Sequence, residues 1–316
     1  MFHYLPVIRR ALCVLCLSAC AAQTARAPTA PPPVLPAPAE PEAPASAPEK
    51  AKLELPLGGR ELFPRYRLVG FCGTPGAPAL GKLRDHLPER AKEIEQLSKG
   101  YAAGRQVLPV FELIAVVVQG GAGSDGKYRR RVADSVIDEY LGAARAAKAL
   151  LLLNVQPGRS DFMTEVKSFE KYLHEPDVGV ALDPEWAIKE KQIPGQSYGQ
   201  TTGAVVNEVA EYLSNIVQQN DLPEKALVFH QVNDYVFKDE ASLKSYPGIV
   251  LVKGVDGLGP RIPKTITYNH LIRIKSPLVH PGFKLFFDED TRAGASLMTP
   301  QQVLSLVPVP EYVMYE

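Results

Sequence analysis

The sequence predicts a single closed barrel of eight parallel strands wrapped by helices, and three observations carry that reading. From Gly58 to Glu316 the chain has 259 residues, close to the roughly 250 typical of a (β/α)8 barrel. Within that stretch short apolar, β-branched runs alternate with longer amphipathic segments, as they must when parallel strands are joined by crossover helices. Two of the runs, LLLLNV and VGVALD, are apolar almost throughout, which suits strands buried on both faces. An open, doubly wound sheet is the competing arrangement.

The strands are expected, in order, at Arg67–Cys72, Val107–Glu112, Ala149–Val155, Val178–Asp183, Ala226–Gln231, Ile249–Val252, Phe283–Asp288 and Tyr312–Tyr315. Helices are expected between them at Lys82–Lys99, Tyr128–Ala147, Asp161–His174, Thr202–Asn220, Asp239–Ser245, Lys264–Ile272 and Thr299–Leu306. Ser160-Asp161 and Thr299-Pro300 are recognisable helix starts, a capping oxygen or a proline at the first turn. The eighth strand has no helix after it, so residues 55–64 are expected to cover the gap. No internal repeat is present.

Ahead of the barrel stand an export signal and a tether. Arg9 and Arg10 precede an apolar run, Ala11–Ala19, too short for a membrane span and built like a secretory signal. The run ends in Leu17-Ser18-Ala19-Cys20, which resembles the lipobox of bacterial lipoproteins. That resemblance implies cleavage after residue 19, acylation (diacylglycerol, palmitate) of Cys20, and a protein anchored in the cell envelope by its N-terminal lipid. Residues 20–57 are rich in Ala and Pro with little apolar bulk to bury, and read as a semi-extended spacer. Cys13 and Cys16 leave with the signal. With Cys20 acylated, Cys72 has no intramolecular partner, so the folded part must rely on its core rather than on disulfides.

Composition excludes several classes. The 35 basic residues equal the 35 acidic ones, so no positive excess exists to displace counterions from nucleic acid. The segment Gly121–Lys127, GAGSDGK, satisfies two phosphate-loop patterns, but Tyr128 stands where magnesium would need Ser or Thr. No acid follows at the dinucleotide spacing, so nucleotide is not expected and the segment is read as a rim loop. His86, His174, His230, His270 and His280 show no H-x-H or H-E-x-x-H spacing, so no metal and no other cofactor is expected. No G-x-S-x-G elbow occurs, and Cys72 lacks an obvious histidine partner.

Polar residues fall where a barrel places its chemistry, at the C-terminal strand ends. GFCGTPG closes the first strand, Glu112 the second, Asn154 and Gln156-Pro157-Gly158-Arg159 the third. Asp183-Pro184-Glu185-Trp186 closes the fourth, His230-Gln231 the fifth, Asp256-Gly257 the sixth and Asp288-Glu289-Asp290 the seventh. A structural rim has little reason to gather so many carboxylates, which raise one another's pKa. Asp183 and Glu185 are two apart, hence on one face with the small Gly179 and Ala181. Such a pair suits glycoside cleavage: one carboxyl protonates the leaving oxygen while another stabilises or traps the positive sugar carbon. Trp186, the only tryptophan, could stack on a sugar ring. Asp288 and Glu112 are the remaining nucleophile or stabiliser candidates. Gln156, Arg159, His230, Gln231 and Asp256 are substrate-binding candidates, with Arg159 equally suited to pairing with the rim acids. Lys284 shares the parity of Asp288 and could face either way.

The D-x-E at the end of the fourth strand resembles chitinase-like and muramidase-like glycosidase barrels, which implies Glu185 as proton donor and Asp183 as its assistant. The fuller D-x-x-D-x-D-x-E pattern of chitinases lacks its acids at Val178 and Ala181. GFCGTPG, VLPVFELI, VQPGRSDF, VALDPEW, FHQ, KLFFDED and EYVMY resemble a family of exported bacterial lipoproteins with a barrel and no established activity; that likeness covers nearly all of residues 68–316. The expectation is therefore a lipid-anchored envelope barrel that cleaves a wall or capsule polysaccharide. The alternatives are a non-catalytic barrel binding envelope glycan or protein, and another envelope hydrolase, metal-dependent or not.

Overall fold

The computed structural model describes residues 52–273 and 276–316, all within one compact unit. The export signal, Cys20 and most of the tether lie outside the described residues. The barrel strands are β1 (Tyr66–Gly73), β2 (Gln106–Val118), β3 (Leu150–Val155), β4 (Val178–Leu182), β5 (Lys225–Gln231), β6 (Ile249–Val255), β7 (Val279–Leu285) and β8 (Tyr312–Tyr315). Each pairs in parallel with its sequence neighbours, and β8 pairs with β1 to close the ring. The protein is a (β/α)8 barrel of the TIM type, not an open sheet.

The helices are α1 (Leu87–Ser98), α2 (Asp134–Ala146), α3 (Phe162–Lys167), α4 (Glu170–Leu173), α5 (Gly203–Gln219), α6 (Arg261–Arg273) and α7 (Pro300–Leu304). The two helix starts expected at Asp161 and Thr299 are capped in the structure, and Thr202 caps a third helix. Asp161 accepts from Thr164 N at 2.8 Å, Thr202 from Val205 N, and Thr299 forms a reciprocal capping box with Gln302.

Several expected elements differ. The helix expected at Asp239–Ser245 is only a single tight turn, Glu240–Ser242. The segment expected as one helix at Asp161–His174 is two, because the Ser168 hydroxyl takes the Glu165 carbonyl at the break. Tyr128 does not open a helix: Arg129–Arg131 is a short strand antiparallel to the end of β2. The glycine-rich segment is therefore the turn of a hairpin, not a strand-to-helix phosphate loop. β7 starts four residues earlier than expected and ends three earlier, at Leu285, so Asp288 falls in the loop beyond it. β2 runs on to Val118, so Glu112 sits within the strand and not at its end.

Alternation sorts the strand residues into two shells. Phe71, Phe111, Leu151, Val180, Phe229 and Phe283 face the helices, while Leu68, Val110, Leu152, Val228, Val252 and Met314 fill the barrel. Residues 55–64 do not cover the outer side by β8. They plug the barrel floor, with Leu55 and Leu62 joining the inner shell and Glu224, just before β5, accepting from Leu62 N at 2.7 Å. Leu55 packs there although it precedes the expected start at Gly58.

Close approach inside the barrel demands glycine. A Cβ on Gly70 would lie 1.8 Å from the Val110 carbonyl of the neighbouring strand, a position no side chain can take. Gly142, on the exposed side of α2, has open space around its missing Cβ. Gly70→Ala should therefore destabilise the fold by about 3 kcal/mol or more, and Gly142→Ala should stabilise it by roughly 0.5–1 kcal/mol, both read from denaturant unfolding midpoints.

Candidate active site

Inward parity on successive strands brings a set of polar side chains to the C-terminal half of the barrel. β2 contributes Glu112, β3 Asn154, β5 His230, β7 Lys284 and β8 Tyr312. Asp183, Asp256 and Glu316 follow directly after β4, β6 and β8. All but Glu316 are nearly sealed from solvent. Small residues make the room: a Cβ on Gly254 would meet the His230 ring nitrogen Nδ1 at 2.8 Å, and one on Gly282 the ring of Tyr312 at 2.9 Å.

These groups form one connected network. His230 lies between two carboxylates, with Nδ1 2.9 Å from Asp256 Oδ1 and Nε2 3.1 Å from Glu112 Oε1. Glu112 also accepts from the Tyr312 hydroxyl and from Asn154 Nδ2 at 2.9 Å. The same amide donates to Asp183 Oδ1 at 2.9 Å, and Gln156 Nε2 donates to Asp183 Oδ2 at 3.0 Å. Lys284 Nζ bridges Glu316 at 2.5 Å and Asp256 at 3.4 Å.

Burial and neighbours set the protonation states. Burial would depress His230, but the carboxylates of Asp256 and Glu112 hold it well above the usual histidine value, so it is an imidazolium. Burial would raise Glu112; His230, Lys284 and the Tyr312 hydroxyl instead hold it down at about 2. Asp256 is likewise drawn below its ordinary value, against burial, by His230 and Lys284. Lys284 stays charged because Glu316 and Asp256 outweigh its burial. Three carboxyls remain without full compensation. Asp183 and Glu316 are raised chiefly by burial. Glu185 is raised furthest from balance: burial, then the charges of Asp183 and Asp256, push it well above the usual glutamate value.

Glu185 belongs to a short turn, Pro184–Trp186, whose proline starts it immediately after β4. The Gly199 amide is bound to the Glu185 carbonyl at 2.6 Å, tying the turn to the following loop. The side chain is 7 % exposed, and its Oε2 has no hydrogen-bond partner. It lines a cavity of about 240 Å³ at the barrel mouth, together with Gln156, Asp183, Asp256, Lys284 and Glu316. Trp186, Tyr198, Leu258 and Phe286 supply the apolar walls.

Of the residues expected from sequence, Asp183, Glu185, Trp186, Gln156 and Asp256 share this cavity. Glu112 and His230 lie beneath it and are fully buried, so they act on the cavity through Asp256 and Asp183. Asp288 is corrected: it is exposed beyond the end of β7 and lines an adjoining cavity of about 270 Å³ with Lys82 and Arg84. Arg159 does not reach the acids; its guanidinium stacks 4.2 Å over the Tyr128 ring and donates to Gln192 O at 2.9 Å. Gln231 is buried and donates to Asn233 O at 3.1 Å, away from the cavity. Lys284 turns inward, settling the two directions its parity allowed. Sequence reasoning missed Tyr312, Glu316, Tyr198, Leu258 and Phe286. Counting two and four residues from Tyr312 would have placed Glu316 on the inner face of β8. Among the described residues no group of three or more His, Cys, Asp or Glu side chains is arranged to hold a metal ion.

The network has a pH signature. The raised value of His230 contributes stability that is fully present below the unfolded value of about 6.5 and is lost as pH rises through the folded one. The raised carboxyls add the same sign, because ionising them in place costs more than ionising them in the unfolded chain. The depressed values of Glu112 and Asp256 contribute stability that is already complete above about pH 4.5. The melting temperature should therefore be higher at about pH 5 than at about pH 8, and His230→Gln should shrink that difference, as measured by circular dichroism.

A scan against models of known protein families finds no match for this chain, and a search of curated proteins finds none either.

Proposed function

We propose that the protein is a glycoside hydrolase working by carboxylate acid and base catalysis at the barrel mouth. The observation that supports it best is the contrast between two cavity carboxyls, Glu185 held protonated and Asp256 held ionised. Two titratable groups whose surroundings push their pKa values apart are the mark of an acid and its partner. Glu185 gives its proton to the leaving oxygen as the carbon–oxygen bond breaks. The positive charge that develops on the sugar carbon faces the Asp256 carboxylate, and the water that completes the reaction returns a proton to Glu185. Burial keeps Glu185 protonated, and the repulsion of Asp183, fixed by Asn154 and Gln156, adds to it. Trp186 and Tyr198 offer faces for a sugar ring.

This reading puts the nucleophile or stabiliser at Asp256 in place of Asp288 or Glu112, since Asp256 lines the cavity and neither of those does. Lipid anchoring through Cys20, supported by the Leu17–Cys20 sequence after its basic and apolar run, would put the barrel mouth within reach of wall or capsule polysaccharide.

Reducing-end release from purified bacterial envelope polysaccharides tests the reading. Release is expected from the natural protein, and Glu185→Gln should lower it by roughly 10²–10⁴-fold, while Asp288→Asn leaves it unchanged. An equal rate in Glu185→Gln would remove Glu185 as the acid, and no release from any preparation would refute the hydrolase reading. The rate should also fall as pH rises through the raised value of Glu185, and on the acid side only below the usual aspartate range, where Asp256 takes up a proton.

A further inference from the structure

The charges around the cavity carry a preference of their own. Asp183, Glu185, Asp256, Glu289 and Glu316 all line it, against one cation, Lys284. That cation is spoken for, lying 2.5 Å from Glu316 and 3.4 Å from Asp256. The other cationic group at the centre, His230, is fully buried beneath and shared by Asp256 and Glu112. Arg159, a candidate partner of the rim acids from sequence, is committed to Tyr128 and Gln192. An anionic ligand would thus meet carboxyls with no free cation among the lining side chains. Independently, Glu185 lines the cavity while its Oε2 is buried without a hydrogen-bond partner; a buried polar atom left unpaired is expensive unless a ligand draws its carboxyl into a hydrogen bond.

We propose that the cavity is built for a cationic sugar, a pyranose carrying a free protonated amine, and discriminates against N-acylated and uronic-acid units. The inference rests on the hydrolase reading only for placing a sugar there. An ammonium group supplies up to three donors, enough to satisfy the Glu185 oxygen and one of its acidic neighbours at once. The apolar walls, Trp186, Tyr198 and Leu258, take the ring face. An acetyl group removes the charge and leaves the acids uncompensated, and a uronate adds like-charge repulsion. The walls are compatible with any sugar; the acids select the charge.

The test is isothermal titration calorimetry of the full chain below neutral pH with matched oligomers of glucosamine, N-acetylglucosamine and galacturonate. Fluorescence of Trp186, the single tryptophan of the chain, reports whether the cavity is occupied. The glucosamine oligomer should bind at least about tenfold more tightly than its acetylated counterpart, about 1.4 kcal/mol, should perturb Trp186, and should weaken with added salt. The uronate should not bind. Equal or tighter binding of the acetylated oligomer, binding of the uronate, or no binding by any of the three would overturn the proposal.

The same titration with Glu185→Gln separates the two ideas. Asp183, Asp256 and Glu316 remain in that variant, so the preference for the amine should persist while cleavage is lost. A glucosamine oligomer that binds and is never cut by the natural protein refutes the hydrolase and leaves the charge preference standing. Cleavage confined to acetylated oligomers does the reverse.

Discussion

The centre of this barrel depends on one imidazolium held between two carboxylates. Alone, His230 would be driven neutral by burial; with Asp256 on one nitrogen and Glu112 on the other, it keeps its charge. Each acid is in turn kept ionised by the ring it flanks. Truncating one partner of such a buried set strands the other, at a cost of several kcal/mol, so the three are best regarded as one unit. Lys284 extends it to Glu316, and Asn154 extends it to Asp183.

That unit fixes the charges Glu112 and Asp256 carry against His230 and Lys284, and what it offers Asp183, Glu185 and Glu316 does not outweigh their burial. The cavity consequently contains carboxyls in both states at one pH. The same connectivity divides labour by depth: Glu112, His230 and Tyr312 lie sealed below, and Asp183, Glu185 and Asp256 meet whatever enters. A site assembled on strand ends and supported from beneath by a saturated network is held more precisely than one carried on loops. Glu185 and Trp186, on the turn after β4, and Tyr198, Leu258 and Glu289 come from the connecting segments.

Much of this was legible from residues alone. Eight apolar runs gave the number of strands, and the D-P-E-W turn after β4 placed Asp183, Glu185 and Trp186 at the mouth. Asp256 and Gln156 were found by the same rule of strand ends. The failures share a cause. A charged residue in an apolar run reads as a strand terminus, which cuts the expected β2 short at Glu112 and stretches the expected β7 to Asp288, whereas the strands end at Val118 and Leu285. In both strands the charge is interior, Glu112 and Lys284, and survives there only because its partners come from other strands. Those pairings span 118 residues between Glu112 and His230 and 200 between Glu112 and Tyr312, a separation that no local pattern encodes. Arg159 was misplaced for the complementary reason: its aromatic partner, Tyr128, arrives by way of a hairpin that reads as the start of a helix.

The claim on which the rest turns is that Glu185 is protonated while Asp256 is ionised in the same cavity. Carbon-13 NMR titration of side-chain carboxyls, with Glu185→Gln and Asp256→Asn assigning the two signals, measures this directly. Glu185 should titrate well above the ordinary glutamate value of about 4.3, and Asp256 below the ordinary aspartate value of about 3.9. A Glu185 signal that titrates at or below the ordinary value, or one that follows Asp256, would contradict the assignment of acid and partner.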